Sequence, residues 1–185
     1  MVDARTIFKK RESTREYLED QITKEELDFL IESGLSASTA MDRQSWHFTV
    51  VQDKEFLKEI SNSVAQVLID SEVPSLIERA TDEKFHSFYH APTVIFISRE
   101  ANRYSFADCA NAAQTICLAA TAIELGSCYI GSFVQAFNSE KGKHLLKRFN
   151  LPNGYKPTFA VAIGYPKNKL TESIKEREYK VDFIR

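Results

Sequence analysis

The chain has little cysteine. Three occur in 185 residues, Cys109, Cys117 and Cys128. The count is odd, and two of them lie in a small-residue helical run, so buried free thiols are expected rather than a disulfide framework. No CxxC pair or His/Cys cluster has metal-ligand spacing, which argues against a zinc site. A long hydrophobic run is also missing. The most apolar stretch, residues 107–125, is interrupted by Asp108, Asn111, Gln114 and Glu124, and is too polar to span a bilayer. The first residues, MVDARTIFKKRES, carry no apolar signal segment, and a cytoplasmic chain is expected. No charge of one sign dominates: 24 basic residues face 26 acidic ones, for a net charge of -2. That balance offers no general electrostatic reason to bind nucleic acid or an anionic membrane. Neither a strand–GxGxxG–helix fingerprint nor a P-loop occurs, so a Rossmann dinucleotide site and an NTPase are both unsupported.

What is present describes a globular chain. Hydrophobic residues make up 43% and charged residues 27%, and a single domain over residues 1–185 can bury a core without staples. A short helix is expected over residues 3–10. Thr23 and Glu26 have capping-box spacing, with Ile22 and Leu27 placed as a hydrophobic staple. Leu27, Leu30 and Ile31 then form one apolar face, which Gly34 can end. A small, polar loop over 36–45 leads into a strand at 46–52, and Asp53 can cap the following helix. Residues 71–90 are ambiguous, with Pro74 as a breaker. Strands are expected at 93–98, 127–133 and 156–164. The longest helix covers 104–125, is rich in Ala, Cys and Thr as a centrally packed helix would be, and ends at Gly126. Another helix starts at Ser139. Strands separated by helices make an α+β or three-layer pattern.

Four segments could carry chemistry. In Arg11-Glu12-Ser13-Thr14-Arg15, two guanidiniums four apart with a hydroxyl between them suit a phosphate or an anionic ring edge. Lys175 and Arg177, two apart, would share a face in an extended tail and could grip one phosphate. Taken alone, each also reads as a solvated charged surface. The loop around Asp42, Gln44 and Trp46 offers polar groups to a ligand, or simply precedes a core tryptophan. Gly126 to Gly131 could let backbone pass close to a flat ring, or form a helix cap and a glycine bulge.

In this order and combination, the segments resemble the nitroreductase family of FMN-dependent flavoproteins over nearly the whole chain. Arg11-Glu12-Ser13-Thr14-Arg15-Glu16-Tyr17 is similar to the family's Arg-x-Ser-x-Arg-x-Phe/Tyr opening. Residues 38–46 are similar to a loop ending Asn-x-Gln-Pro-Trp. Asp108 and its helix, running into Leu125-Gly126-Ser127-Cys128-Tyr129-Ile130-Gly131, resemble the central helix and ring-side loop. Ile163-Gly164-Tyr165-Pro166 with Lys175 and Arg177 resembles the C-terminal strand and phosphate grip. The resemblance implies an α+β, nitroreductase-like three-layer sandwich. A central mixed or antiparallel sheet would be flanked by helices, with a long central helix and an extended C-terminal tail. It implies a homodimer with two FMN sites at the interface. Arg11, Ser13 and Arg15 would bind phosphate, ribityl or pyrimidine edge, and Lys175 and Arg177 would complete the phosphate site. Ser38, Thr39, Ala40 and Asp42 would reach the flavin from the other subunit, and Ile130, Gly131 and Ser132 would lie beside the ring.

Two departures stand out. Asp42 occupies the usual Asn position, where a carboxylate would repel a reduced, anionic flavin unless it pairs with Arg43. Ser45 replaces the usual Pro, which should loosen the loop. The resemblance implies a ping-pong transfer of hydride from NADH or NADPH to a nitroaromatic, quinone or enone, with no side chain required as a catalyst. A non-catalytic flavin-binding or ligand-sensing protein is the alternative, motivated by Asp42 and by the little sequence left for a substrate lid.

Overall fold

A computed structural model of the chain describes residues 3–172, 178 and 180–185. Helices α1 (Ala4–Lys10) and α2 (Lys24–Leu35) precede strand β1 (Trp46–Val51). Helices α3 (Lys54–Ile69) and α4 (Pro74–Thr81) lead to β2 (Thr93–Arg99), and α5 (Ser105–Ala122) to β3 (Gly126–Ile130). A 3-10 segment (Ser132–Asn138), α6 (Glu140–Lys147) and β4 (Lys156–Gly164) follow. Among the described residues the sheet has four strands in the order β1-β2-β4-β3, every pair antiparallel.

The alternation within β2 and β4 makes the three layers. Val94 and Phe96, with Ala160 and Ala162, face one core. Ile95 and Ile97, with Val161 and Ile163, face the other. Both faces of the two central strands are therefore buried, as expected for a sheet covered on each side. On the first face the small Ala160 and Ala162 leave room for phenylalanines. Phe88, Phe96, Phe133, Phe137 and Phe149 meet there mostly edge to face, with centroids 4.9–6.1 Å apart, the arrangement that aromatic quadrupoles favour. On the second face α5 supplies Ala112, Ala113, Ala119 and Ala120, all buried, so its backbone can lie close to the sheet and to α2.

The local signals act largely as expected. Thr23 and Glu26 form the reciprocal capping box, and Asp53 accepts from the Phe56 N–H at 3.0 Å. Three expectations are corrected. Gly34 does not end α2; it lies within the helix, where a Cβ would come within 2.9 Å of Ile116 and Phe48. Gly126 does not cap α5, which stops at Ala122; it opens β3 instead. Pro74 is not a breaker but the first residue of α4, a position where its missing N–H costs nothing. All three cysteines are free and buried. Burial pushes the Cys109 thiol up to about 12 and the Cys117 thiol up to about 11, so both stay protonated.

Candidate functional site

The segment after α1 is extended and fastened to the outer edge of β3. The Thr14 N–H donates to the Ser127 carbonyl at 2.9 Å, and Ser13 pairs with Ser127 as an isolated parallel bridge. The buried Tyr17 hydroxyl donates to the Thr14 and Ala162 carbonyls at 2.8 and 3.2 Å. Thr14 and Tyr17 are buried, while Ser13 and Arg15 are exposed. Arg11, Ser13 and Arg15 are two apart in extended chain, so they share one face. Arg15 lies 5.7 Å from the Tyr89 ring centroid, and its Nη1 donates to the Ser13 carbonyl at 3.4 Å. Hydrogen bonding to Tyr89 holds its guanidinium protonated even more firmly than usual. Burial raises the Cys128 thiol, against the opposing pull of Arg15, the Ser13 hydroxyl and Arg11.

This approach depends on Gly126. A Cβ there would lie 2.7–3.0 Å from the Thr14 side chain. The sequence offers Gly126 as a helix end or as part of a ring-side glycine stretch; that its neighbour is Thr14 is a tertiary fact. At the far end of β3, Ile130 is buried, whereas Gly131 and Ser132 are exposed. Among the described residues a Cβ on Gly131 would meet only Phe159, at 3.8–3.9 Å, so the backbone there is open to a flat neighbour.

The loop before β1 is rigid in an unusual way. Met41, Asp42 and Gln44 have φ of 55°, 52° and 50°, left-handed values that cost a non-glycine residue about 1–3 kcal/mol each. Several bonds enforce them. The Ala40 N–H donates to Asp108 Oδ1 at 3.0 Å, and Asn111 Nδ2 to the Ser38 carbonyl at 3.2 Å. Asp42 does not take Arg43 as its hydrogen-bond partner; its Oδ1 accepts from Gln44 Nε2 at 3.0 Å. Ser45 does not loosen the loop. It is 1% exposed, its hydroxyl accepts from Asn102 Nδ2 at 2.8 Å, and its carbonyl accepts from the Glu100 N–H at 3.2 Å. The result is a fixed turn that leaves Met41 70% exposed.

Within one chain the two halves are apart. The 38–42 loop is tied to Asp108, in the first turn of α5, while the Arg11–Arg15 segment is bridged through Ser13 to Ser127, which lies beside Cys117 in the second half of that helix. At 1.5 Å per residue, Asp108 and Cys117 are separated by roughly 14 Å along the helix. Chain ends do converge. After β4, Leu18 N–H donates to the Tyr165 carbonyl at 2.8 Å and Lys167 N–H to the Glu16 carbonyl at 3.1 Å. Further on, Glu172 accepts from Thr6 Oγ1 and from Lys9 Nζ, at 3.3 and 3.2 Å. Lys175 and Arg177 lie outside the described residues. Among the described residues no His/Cys/Asp/Glu group could hold a metal, and no helix is long and apolar enough to cross a membrane.

Sequence reasoning missed Asp108 and Asn111 as loop tethers and Tyr89 as the support of Arg15. The first two leave a signal, since a carboxylate and an amide in a small-residue helix need partners. Tyr89 leaves none.

Comparison with known proteins agrees with this fold. An Archaeoglobus fulgidus protein, provisionally named an NADH dehydrogenase/NAD(P)H nitroreductase, is 27% identical over 159 residues, covering 86% of this chain and 83% of its own. A Bacteroides fragilis nitroreductase with bound FMN is 28% identical with a TM-score of 0.83, covering 98% of this chain and 96% of its own. A Desulfitobacterium hafniense nitroreductase with bound FMN is 25% identical with a TM-score of 0.87, covering 98% and 100%. The sequence profile of the Nitroreductase family matches residues 8–165, and with the three-layer fold and the Arg-x-Ser-x-Arg edge beside β3, the chain belongs to that family.

Proposed function

We propose that this chain is an FMN-dependent oxidoreductase. It takes electrons from NADH or NADPH and delivers them, in alternating half-reactions, to a small nitroaromatic, quinone or enone. It works as a homodimer in which each flavin touches both subunits. The observation that carries this reading is the Arg11–Ser13–Arg15 face, held on the edge of β3 with the open Gly131 backbone at the other end of that strand.

The residues present fit FMN. A phosphate needs fixed cations and neutral donors, which Arg11, Ser13 and Arg15 offer. A flat ring needs backbone without side chains in the way, which Gly131 offers. Arg11 and Ser13 would hold phosphate and ribityl, Arg15 the pyrimidine edge, and Ile130, Gly131 and Ser132 the ring. Lys175 and Arg177 would complete the phosphate grip. The long α5 keeps Ser38, Thr39, Ala40 and Asp42 away from this face of their own chain, so a second subunit would supply them. FMN, when bound, accepts and returns hydride, chemistry that no side chain here provides. Arg15 contributes a permanent positive charge that favours negative charge developing at the pyrimidine edge. Asp42, on its strained turn, acts in the opposite direction.

The test is direct. The purified protein should be a yellow dimer with one FMN per chain, bleached anaerobically by NADH or NADPH and recoloured by an acceptor. A colourless monomer that takes up no FMN rejects the reading. A yellow dimer that neither donor bleaches rejects turnover and favours the flavin-binding or sensing alternative.

A further inference from the structure

A cleft of about 510 Å³ lies behind Tyr17, and none of the residues assigned above to the flavin lines it. Its walls come from Tyr17 to Glu19 and Gln21, from Gln52, Lys54 and Leu57 around the start of α3, from the turn that carries His86 and His90, and from Lys167. The volume falls within the range of small-molecule sites, roughly 300–1,000 Å³.

Its charge opposes that of the chain. The protein as a whole is net negative. The cleft presents two ammonium groups, Lys54 and Lys167, against one carboxylate, Glu19. Among the described residues neither ammonium has an ion-pair partner. The third wall is built to present imidazoles. His86 Nδ1 accepts the backbone N–H groups of Phe88 and His90, each at 3.2 Å. That leaves the proton of the neutral ring on Nε2, a donor with no hydrogen-bond partner among the described residues. The His86 and His90 rings stack with centroids 4.3 Å apart. Tyr89 and His90 both sit at positive φ, 55° and 57°, and the Ser87 N–H donates to Ser61 Oγ of α3 at 2.8 Å. A strained, tethered turn carrying two imidazoles into a cationic cleft is preorganised for a ligand. Leu57, Ala91 and Pro92 give the same cleft an apolar floor.

We infer that this cleft is a second ligand site, distinct from the β3 edge, for a small organic carboxylate. Lys54 and Lys167 hold its head, the His86 Nε2–H adds a neutral donor, and its apolar body lies on Leu57, Ala91 and Pro92. The inference does not rest on the flavin reading.

Benzoate serves as the probe, titrated into the protein as purified. Saturable shifts of the His86 and His90 imidazole resonances are expected. Acetate, lacking the apolar body, and benzamide, lacking the charge, should each bind more weakly. K54Q/K167Q, a change of two exposed side chains, should weaken benzoate at least tenfold, the loss expected from a single charge-assisted contact. Its circular dichroism should match the parent, since neither side chain is part of the core. Imidazole resonances that do not move would overturn the inference. So would benzamide binding as tightly as benzoate, or a double variant of unchanged affinity. Benzoate that perturbs only the visible flavin spectrum would likewise reject the cleft as its site.

Discussion

Thr14 and Gly126 are in a contact that admits no β-carbon on the glycine: an added Cβ would fall 2.7 Å from Thr14 Cγ2. The neighbouring Thr14 N–H to Ser127 carbonyl bond, 2.9 Å long, holds the basic face against β3. Both chain segments meet there because one of them has no side chain.

G126A should therefore push the 11–17 segment off the sheet edge. Overpacking of this kind costs about 1–3 kcal/mol, and FMN affinity should fall with it. Thermal unfolding and a flavin-fluorescence titration of the same variant check both effects. Unchanged FMN affinity in a destabilised protein would separate the contact from the site.

R11A and R15A should each weaken FMN binding by about tenfold or more, the loss of one charge-assisted contact. For R15A stability should change by no more than about 1 kcal/mol, because Arg15 is exposed, its bond to the Ser13 carbonyl is long and its contact with the Tyr89 ring lies at the surface. Equilibrium dialysis measures the affinity, and a melting curve the stability.

D108A should release the 38–42 loop. Asp108 is 2% exposed, one oxygen holds the Ala40 N–H, and the other, Oδ2, has no hydrogen-bond partner among the described residues. Freeing Ala40 lets Met41, Asp42 and Gln44 leave their left-handed conformations, so amide hydrogen exchange in the loop should accelerate more than in β2 or β4. D42N should raise the flavin midpoint potential by removing a negative charge from the ring's surroundings. Spectroelectrochemistry reads the direction, and a lowered potential would show that Asp42 does not face the ring.

Burial, reinforced by His90, lowers His86 from 6.5 to about 4. The unfolded chain therefore binds the extra proton first as pH falls. Stability from this group is complete above pH 6.5 and is lost progressively down to pH 4. His86 is only partly shielded, so the loss should be about 1–2 kcal/mol rather than the full shift. H86N, which keeps an acceptor near the Nδ1 position, should flatten the dependence of urea midpoints on pH in this window.

Much of the fold was legible in local pattern. The capping box at Thr23, the Asp53 cap and the four strands, the third ending at Ile130 rather than at 133, came from periodicity and short-range hydrogen-bond chemistry, which act within a few residues. Glycine roles were not legible in this way. Gly34 and Gly126 follow helical runs and look like stops, yet each serves a neighbour distant in sequence, Ile116 or Thr14. Ser45 looked like a loosened proline and proved to be pinned by Asn102, 57 residues away.

By itself, the sequence determined which groups could grip a phosphate and which stretches alternate in the sheet, because side-chain chemistry and two-residue or 3.6-residue periods belong to the chain. Only the tertiary structure decided that Arg11, Ser13 and Arg15 lie along β3 while the 38–42 loop sits at the first turn of α5. Contacts across a hundred residues depend on which surfaces pack together, and no local period encodes that choice. The same packing opened the cleft of Lys54, His86 and Lys167, three residues with no common motif.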